Sequence, residues 1–370
     1  MSNLSEFIPI YSPFIAKNQK KYIIDCIDTN WISSRGKYIE LLEQSIAEVI
    51  GTKEVIAVFN GSVSLMLILR GLGIGHGDEV ITQSLTYAAT VSSIQNVGAT
   101  PVLIDSTDCF QMDIGLIQRA ITKKTKAVMV AQLYGDSPDM EKLVKICKKN
   151  SIYLIEDSAE AFACYLPSSK GVPKALGSYG IASSFSFFGN KVITTGEGGC
   201  VCTNDSSLAR QLRMLRSQNH IGGFRHAGPG FNFRITNLQA AIGVAQLEQL
   251  EDVLVKKKKI ASYYRNNLHP SIRRIVPSVN SSEWMPIFSL PISKNYLKFH
   301  TRMQEEGIDL RPAFPPVHGM PGFKVRLGSK LDTCIRIYSK AFNLPSGPGL
   351  TNEQLKRIAN TVNKIIEEVD

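Results

Sequence analysis

Residues 55–73, VIAVFNGSVSLMLILRGLG, carry the reading of the fold. VIAVF (55–59) is a short branched and aromatic apolar run, which reads as a buried strand. Asn60-Gly61-Ser62 breaks the run with turn-forming residues, and SLMLILRGLG (64–73) reads as a helix. The same unit recurs downstream. Strand VITQS (80–84) leads to helix YAATVSSIQNVG (87–98), and strand PVLIDS (101–106) to a helix near 113–122. Strand AVMVAQL (127–133) leads to helix DMEKLVKICKKN (139–150), and IYLIED (152–157) is a further strand. Such alternation predicts an α/β fold with a large, mainly parallel central sheet and helices on both faces. ASSFSFF (182–188) and GGCVCTND (198–205) extend the sheet with no long helix between them.

The texture changes after about residue 207. LARQLRMLRSQ (208–218) reads as a helix, HIGGFRHAGPGF (220–231) as a glycine-rich loop, and 237–267 as one long helix. The remainder mixes short strands such as MPIFSLPI (285–292), helices and the proline-rich loop 311–323. The expected organisation is a large domain over 1–250, N-terminal segment included, and a smaller C-terminal α+β domain over 251–370.

Hydrophobic residues make up 44% and charged residues 20%, the balance of a globular enzyme. No apolar run is long enough to span a bilayer. MSNLSEFIPIYSPF has no basic start followed by an apolar stretch, so a cytoplasmic protein without a secretory leader is expected. The seven cysteines include no CxxC pair, and Cys200 and Cys202 alternate along one strand. Buried or half-buried reduced thiols are expected. The six histidines lack metal-site spacing, so no metal is expected. The net charge of +10 suits nucleic acid or anionic small molecules, and no nucleic-acid-binding signature accompanies it. The densest basic run, Lys256 to Lys259, is expected to be a solvated helix surface.

Ligands in open α/β sheets bind beyond the carboxyl ends of the strands. Three features fall there. Asn60-Gly61-Ser62-Val63 stands between a strand and a helix, where free amides and the helix dipole hold a phosphate, although a plain tight turn fits equally. Asp157 ends a hydrophobic strand, where a carboxylate caps a helix or holds a cationic ring nitrogen. In SFSFFGNKVITTGEGG (184–199), Lys191 follows an apolar strand and precedes a glycine-rich turn. Apolar surroundings disfavour its charged form and free the amine for Schiff-base chemistry, whereas a surface loop would leave it an ordinary lysine.

FNGSVSL, LGIGHGDEVIT, LTYAATVSSI, GATPVLID, KTKAVMVAQLYG, IEDSAEAF, SFSFFGNKVITTGEGG and FNFRITNLQAAIGVAQLEQL together resemble the sugar aminotransferases of the DegT/DnrJ/EryC1/StrS group. The likeness runs in order along nearly the whole chain. It implies the fold type I architecture of pyridoxal-phosphate (PLP) aminotransferases, with pyridoxamine phosphate formed in turnover. It also implies a homodimer with shared active sites. By the same resemblance Lys191 is the Schiff-base lysine, Asp157 pairs with the pyridine nitrogen, and Glu160 lies near the ring hydroxyl. Ser186 and the turn around Gly61, Ser62 and Val63 bind the phosphate, Tyr87 stacks on the ring, and Asn232 reaches the phosphate from the neighbouring subunit. Related 3-dehydratases carry histidine where Lys191 stands, so lysine points to transamination.

The chain departs from the group's usual pattern at Gln132, where histidine is common, and at Gly180-Ile181-Ala182, where Gly-Asp-Ile-Ala is common. Arg234, Arg311 and His318 are the candidate substrate contacts, since arginine binds pyrophosphate or carboxylate in bidentate fashion. The resemblance implies L-glutamate as donor and a nucleotide-linked 4-keto-6-deoxyhexose, of the GDP-4-keto-6-deoxymannose type, as acceptor. Another nucleotide-linked keto sugar, a nucleotide-free acidic keto sugar and a non-catalytic regulatory role stay open. No nucleic-acid partner and no membrane insertion are expected.

Overall fold

The structure, a computed structural model, describes residues 7–167, 171–275, 277, 279–291 and 293–369. Its centre is an eight-stranded sheet. The strands are β1 (Glu54–Val58), β2 (Glu79–Gln83), β3 (Thr100–Ile104), β4 (Thr125–Ala131), β5 (Tyr153–Asp157), β6 (Ala182–Ser186), β7 (Gly199–Thr203) and β8 (Arg326–Leu327). Their order is β1-β7-β6-β5-β4-β2-β3-β8. All neighbours are parallel except β7, which is antiparallel to β1 and β6. Every residue of β2 and β7 is buried, which is why these strands read as unbroken rather than alternating patterns. Cys200 and Cys202 share one face of β7, with sulfurs 3.8 Å apart and unbonded. Cys109 is exposed, contrary to expectation, because it lies in the turn after β3.

The helices start where the sequence offers caps. Asn60 Oδ1 accepts from the Val63 amide at 3.0 Å and opens the Gly61–Gly71 helix. Asp139 and Asp205 cap the Met140–Lys149 and Ser206–Arg216 helices in the same way. The N-terminal helices Gln19–Asp28 and Lys37–Ile50, for which the sequence reading made no provision, pack against the Asn237–Leu247 helix. The expected helix over 237–267 is two helices, Asn237–Leu247 and Leu250–Asn267, divided at Glu248-Gln249. Continuous helix-forming residues hide that break from a pattern reading.

Beyond it lies a four-stranded antiparallel sheet of Arg273–Ile275, Ile287–Ser289, Ala341–Asn343 and Arg311–Pro312. No helix among the described residues is long and apolar enough to cross a membrane.

The lysine run does not form a uniform solvated surface. Lys256, Lys258 and Lys259 are exposed, but Lys257 is fully buried. Positions 253, 257, 260, 261 and 264 form one apolar stripe along the Leu250–Asn267 helix, so one lysine of four must face inward. Its Nζ donates to the Ser346 carbonyl at 2.8 Å, and burial pushes its pKa down to about 7. The unfolded chain holds that proton up to about pH 10.4, so between about pH 7 and about pH 10 it binds more protons than the folded one. Wild-type stability therefore gains ~1.4 kcal/mol per pH unit from this group. In denaturant titrations the wild-type value minus that of Lys257→Met should rise with pH across this window. A flat difference would show that Lys257 titrates normally.

Candidate active site

The carboxyl ends of β4, β5 and β6 and the turn after β1 open into a cavity of about 700 Å³. Glycines allow this convergence. A Cβ at Gly61 would stand 2.9 Å from Ser186 Cβ, and one at Gly199 would stand 2.7 Å from the Gly61 nitrogen. The Gly61 and Ser62 amides therefore open the helix beside the end of β6. The helix has no carbonyl for these amides, and among the described residues neither finds another acceptor. The Val63 amide is already taken by Asn60. Ser186 lines the same corner, and its Oγ accepts from the Phe188 amide at 3.4 Å.

Lys191 sits in the loop joining β6 to β7, its side chain 13% exposed. Its Nζ lies 3.8 Å from Glu160 Oε1 and 4.0 Å from the centre of the Trp284 ring. Asp157 ends β5 and lines the same cavity. It accepts from Thr90 Oγ1 at 2.6 Å and from the Ala159 amide at 3.3 Å. Glu160 Oε2 accepts from the Tyr134 amide at 2.9 Å. Tyr134 takes a left-handed conformation, φ 54°, to deliver that amide. Gly135 must follow it, because a Cβ there would stand 2.6 Å from Ser281 Oγ.

Burial governs the protonation of all three groups. It raises Asp157, opposed by the Thr90 and Ala159 donors and the Lys191 charge. It raises Glu160 to about 7 against the same lysine. It lowers Lys191, with Glu160 and Asp157 pulling the other way. The amine is thus easier to deprotonate than an ordinary lysine while an acidic partner stands at its side.

Gly61, Ser62, Tyr87, Asp157, Glu160, Ser186, Lys191 and Arg311 all line the cavity. Tyr87 stands at its mouth, 60% exposed, with its ring 5.5 Å from that of Phe314. Arg311 is paired with Asp309 at 3.2 Å. Val63, Asn232, Arg234 and His318 do not line it. Asn232 is exposed and accepts from Arg234 Nε at 3.0 Å. His318 Nδ1 lies 2.7 Å from Ser84 Oγ.

The sequence reading missed Thr90, Tyr134, Trp284 and Phe314. Thr90 had a signal, three residues after Tyr87 in the first turn of the Ala88–Asn96 helix. Trp284 had none, because it approaches Lys191 from a segment distant in sequence.

The fold, and a buried lysine beside Glu160 in the cavity that Asp157 also lines, fit a transaminase. Residues 13–363 match the DegT/DnrJ/EryC1/StrS aminotransferase family, and the chain belongs to that family. It is similar to GDP-perosamine synthase of Escherichia coli O157:H7, with 38% identity over 368 residues, 98% of this chain and 100% of the relative. GDP-perosamine synthase of Vibrio cholerae is 38% identical over 364 residues, 96% and 98% of the two chains. Among solved structures, Helicobacter pylori PseC, an aminotransferase involved in the biosynthesis of pseudoaminic acid, matches with a TM-score of 0.91 at 24% identity, over 98% of this chain and all (100%) of that one. S. venezuelae DesV matches at 0.90 and 27% identity, over 99% and 100%.

Pyridoxal phosphate is the cofactor of this aminotransferase. The cavity fits it: unpaired amides suit a phosphate, a buried carboxylate suits a cationic ring nitrogen, and a buried amine suits an aldehyde.

In cofactor-free protein, Glu160→Gln should move the pH midpoint of Lys191 modification by an amine-selective reagent to lower pH. The carboxylate holds the proton on the amine, so its neutralisation releases it. Peptide mass spectrometry reads the site, and a midpoint that stays put or climbs contradicts the pairing.

Proposed function

We propose that this aminotransferase moves the amino group of L-glutamate to a nucleotide-linked 4-keto-6-deoxyhexose of the GDP-4-keto-6-deoxymannose type, as a GDP-perosamine synthase does. The observation that carries the substrate is the 38% identity to such a synthase over 98% of this chain and 100% of the relative. The cavity carries the chemistry.

Lys191 is the catalytic residue. When bound, pyridoxal phosphate supplies an aldehyde for the donor's amine and a ring that takes up electrons. The Gly61 and Ser62 amides and Ser186 Oγ hold its phosphate, with Val63 behind them locking the helix start through Asn60. Asp157 keeps the ring nitrogen protonated, and Thr90 fixes the orientation of that carboxylate. Tyr87 covers the ring face at the cavity mouth. Lys191 Nζ takes the Cα proton of the donor and hands it on, and Glu160 stabilises the amine while it carries that proton. The same steps in reverse place the amino group on the sugar, so kinetics are ping-pong. Arg311 at the rim meets the anionic substrate.

The working unit is a homodimer. Ile24, Ile27, Trp31 and Ile32 are 44–56% exposed within one short stretch of chain, which supports a partner surface there. Asn232, on the exterior, then serves the partner's cavity rather than its own.

Lys191→Ala should lower the glutamate half-reaction by at least ~10²–10⁴-fold and abolish covalent capture of the cofactor by borohydride. Wild-type rates in this variant would end the assignment. With glutamate and a panel of keto sugars read by mass spectrometry, GDP-4-keto-6-deoxymannose should be the best acceptor. Preference for a nucleotide-free acidic keto sugar would refute the substrate and leave the transamination intact.

A further inference from the structure

The catalytic lysine is carried on a loop that is fastened from outside the large sheet. Two consecutive carbonyls of that loop are held. Trp284 Nε1 donates to the Asn190 carbonyl at 2.7 Å, and Tyr11 Oη donates to the Lys191 carbonyl at 2.8 Å. Tyr11 belongs to the N-terminal segment. Trp284 precedes the Ile287–Ser289 strand of the four-stranded sheet.

Both donors are tied to the same turn. The Ser346 amide donates to the Ile10 carbonyl at 3.0 Å, and Ser346 Oγ donates to the Trp284 carbonyl at 3.3 Å. Lys257 Nζ donates to the Ser346 carbonyl and lies 4.9 Å from the centre of the Tyr11 ring. Gly347 lets the turn close onto the N-terminal segment, since a Cβ there would stand 2.9 Å from the Ser12 nitrogen. Lys257, Ser346 and Trp284, all buried, and the half-buried Tyr11 therefore form one frame around residues 190–191.

We infer that Tyr11 and Trp284 are positioning residues for the reaction, and that they set where the Lys191 amine stands by clamping the two peptide carbonyls on which it is mounted. The inference rests on Lys191 being the reactive amine. A side chain with four rotatable carbons has its reach fixed by its backbone anchor, and displacement of a reacting atom by about 1 Å costs up to about 10²-fold in rate. A reactive group needs a supporting shell for this reason. Trp284 acts twice, because its ring face also packs on the amine. Replacement by phenylalanine keeps an aromatic face and removes only the ring donor. Tyr11→Phe likewise keeps the ring beside Lys257 and removes only the hydroxyl.

The test uses the full chain, freed of cofactor and mixed with pyridoxal phosphate. Covalent attachment at Lys191 is stopped with borohydride at timed intervals and located by peptide mass spectrometry, over a range of pH. Tyr11→Phe and Trp284→Phe should each slow attachment about 10- to 100-fold. The acid limb of the rate profile should move to higher pH, because an amine that loses its place regains water and returns toward ordinary lysine behaviour. In steady state kcat should fall more than KM for glutamate. The limb position does not depend on how much protein is folded, so it separates misplacement of the amine from general damage. Wild-type attachment rates with an unmoved limb in both variants overturn the inference, whatever happens to thermal stability. Failure of the wild-type protein to attach at Lys191 overturns the proposed function first, and this inference with it.

Discussion

A basic amine buried beside two acids at the wall of a cavity is the constraint on which the rest of the structure turns. Desolvation pushes Lys191 toward its neutral, reactive form, and Glu160 and Asp157 pull it back. An isolated buried charge of either sign would be strongly unfavourable, so each needs the other. Holding them together requires β5, β6 and the start of the Gly61–Gly71 helix to end at one place. Glycines at 61 and 199 permit that meeting, because side chains there would strike Ser186 or the backbone of residues 60–61.

A third buried carboxylate stiffens this arrangement from the opposite side of β5. Glu156 accepts from the amides of Gly177, Tyr179 and Gly180 at 2.7–2.8 Å and from Gln132 Nε2 at 2.7 Å. Gln132 in turn accepts from Ser158 Oγ at 2.6 Å. Its amide presents a donor to one group and an acceptor to the other, a bridge that a neutral imidazole can also form. The departure at this position thus leaves the frame beneath Asp157 complete. It explains why a residue at the cavity wall can differ while the adjoining acid keeps its place.

Much of this was legible in the chain, and for identifiable reasons. Strands buried on both faces read as apolar runs whatever their direction, so β1 to β7 stood out. Sites at the carboxyl ends of such strands follow from topology, which brought Gly61, Ser62, Asp157 and Lys191 within reach of a reading by position, whereas Ser186 came only with the resemblance. Features made by distant segments were not legible. Trp284 lies far beyond Lys191 in the chain and carries no local signature. The break at Glu248-Gln249 has no glycine or proline to mark it. Lys257 was misread because a charge run suggests water, whereas the helix around it turns this one of the four lysines to the interior.

β8 is only two residues long, yet it pairs with β3 and covers an edge that β3 would otherwise leave open. Those residues are made long after β2 to β5 have left the ribosome. During that interval the nascent protein exposes an unpaired row of backbone amides and carbonyls, a template for association with other chains. Unseating those two residues would therefore do more than fray one edge of the sheet. Substitutions that unseat Arg326 and Leu327 from β3 would leave this ribbon permanently adhesive, and such variants should accumulate as aggregates.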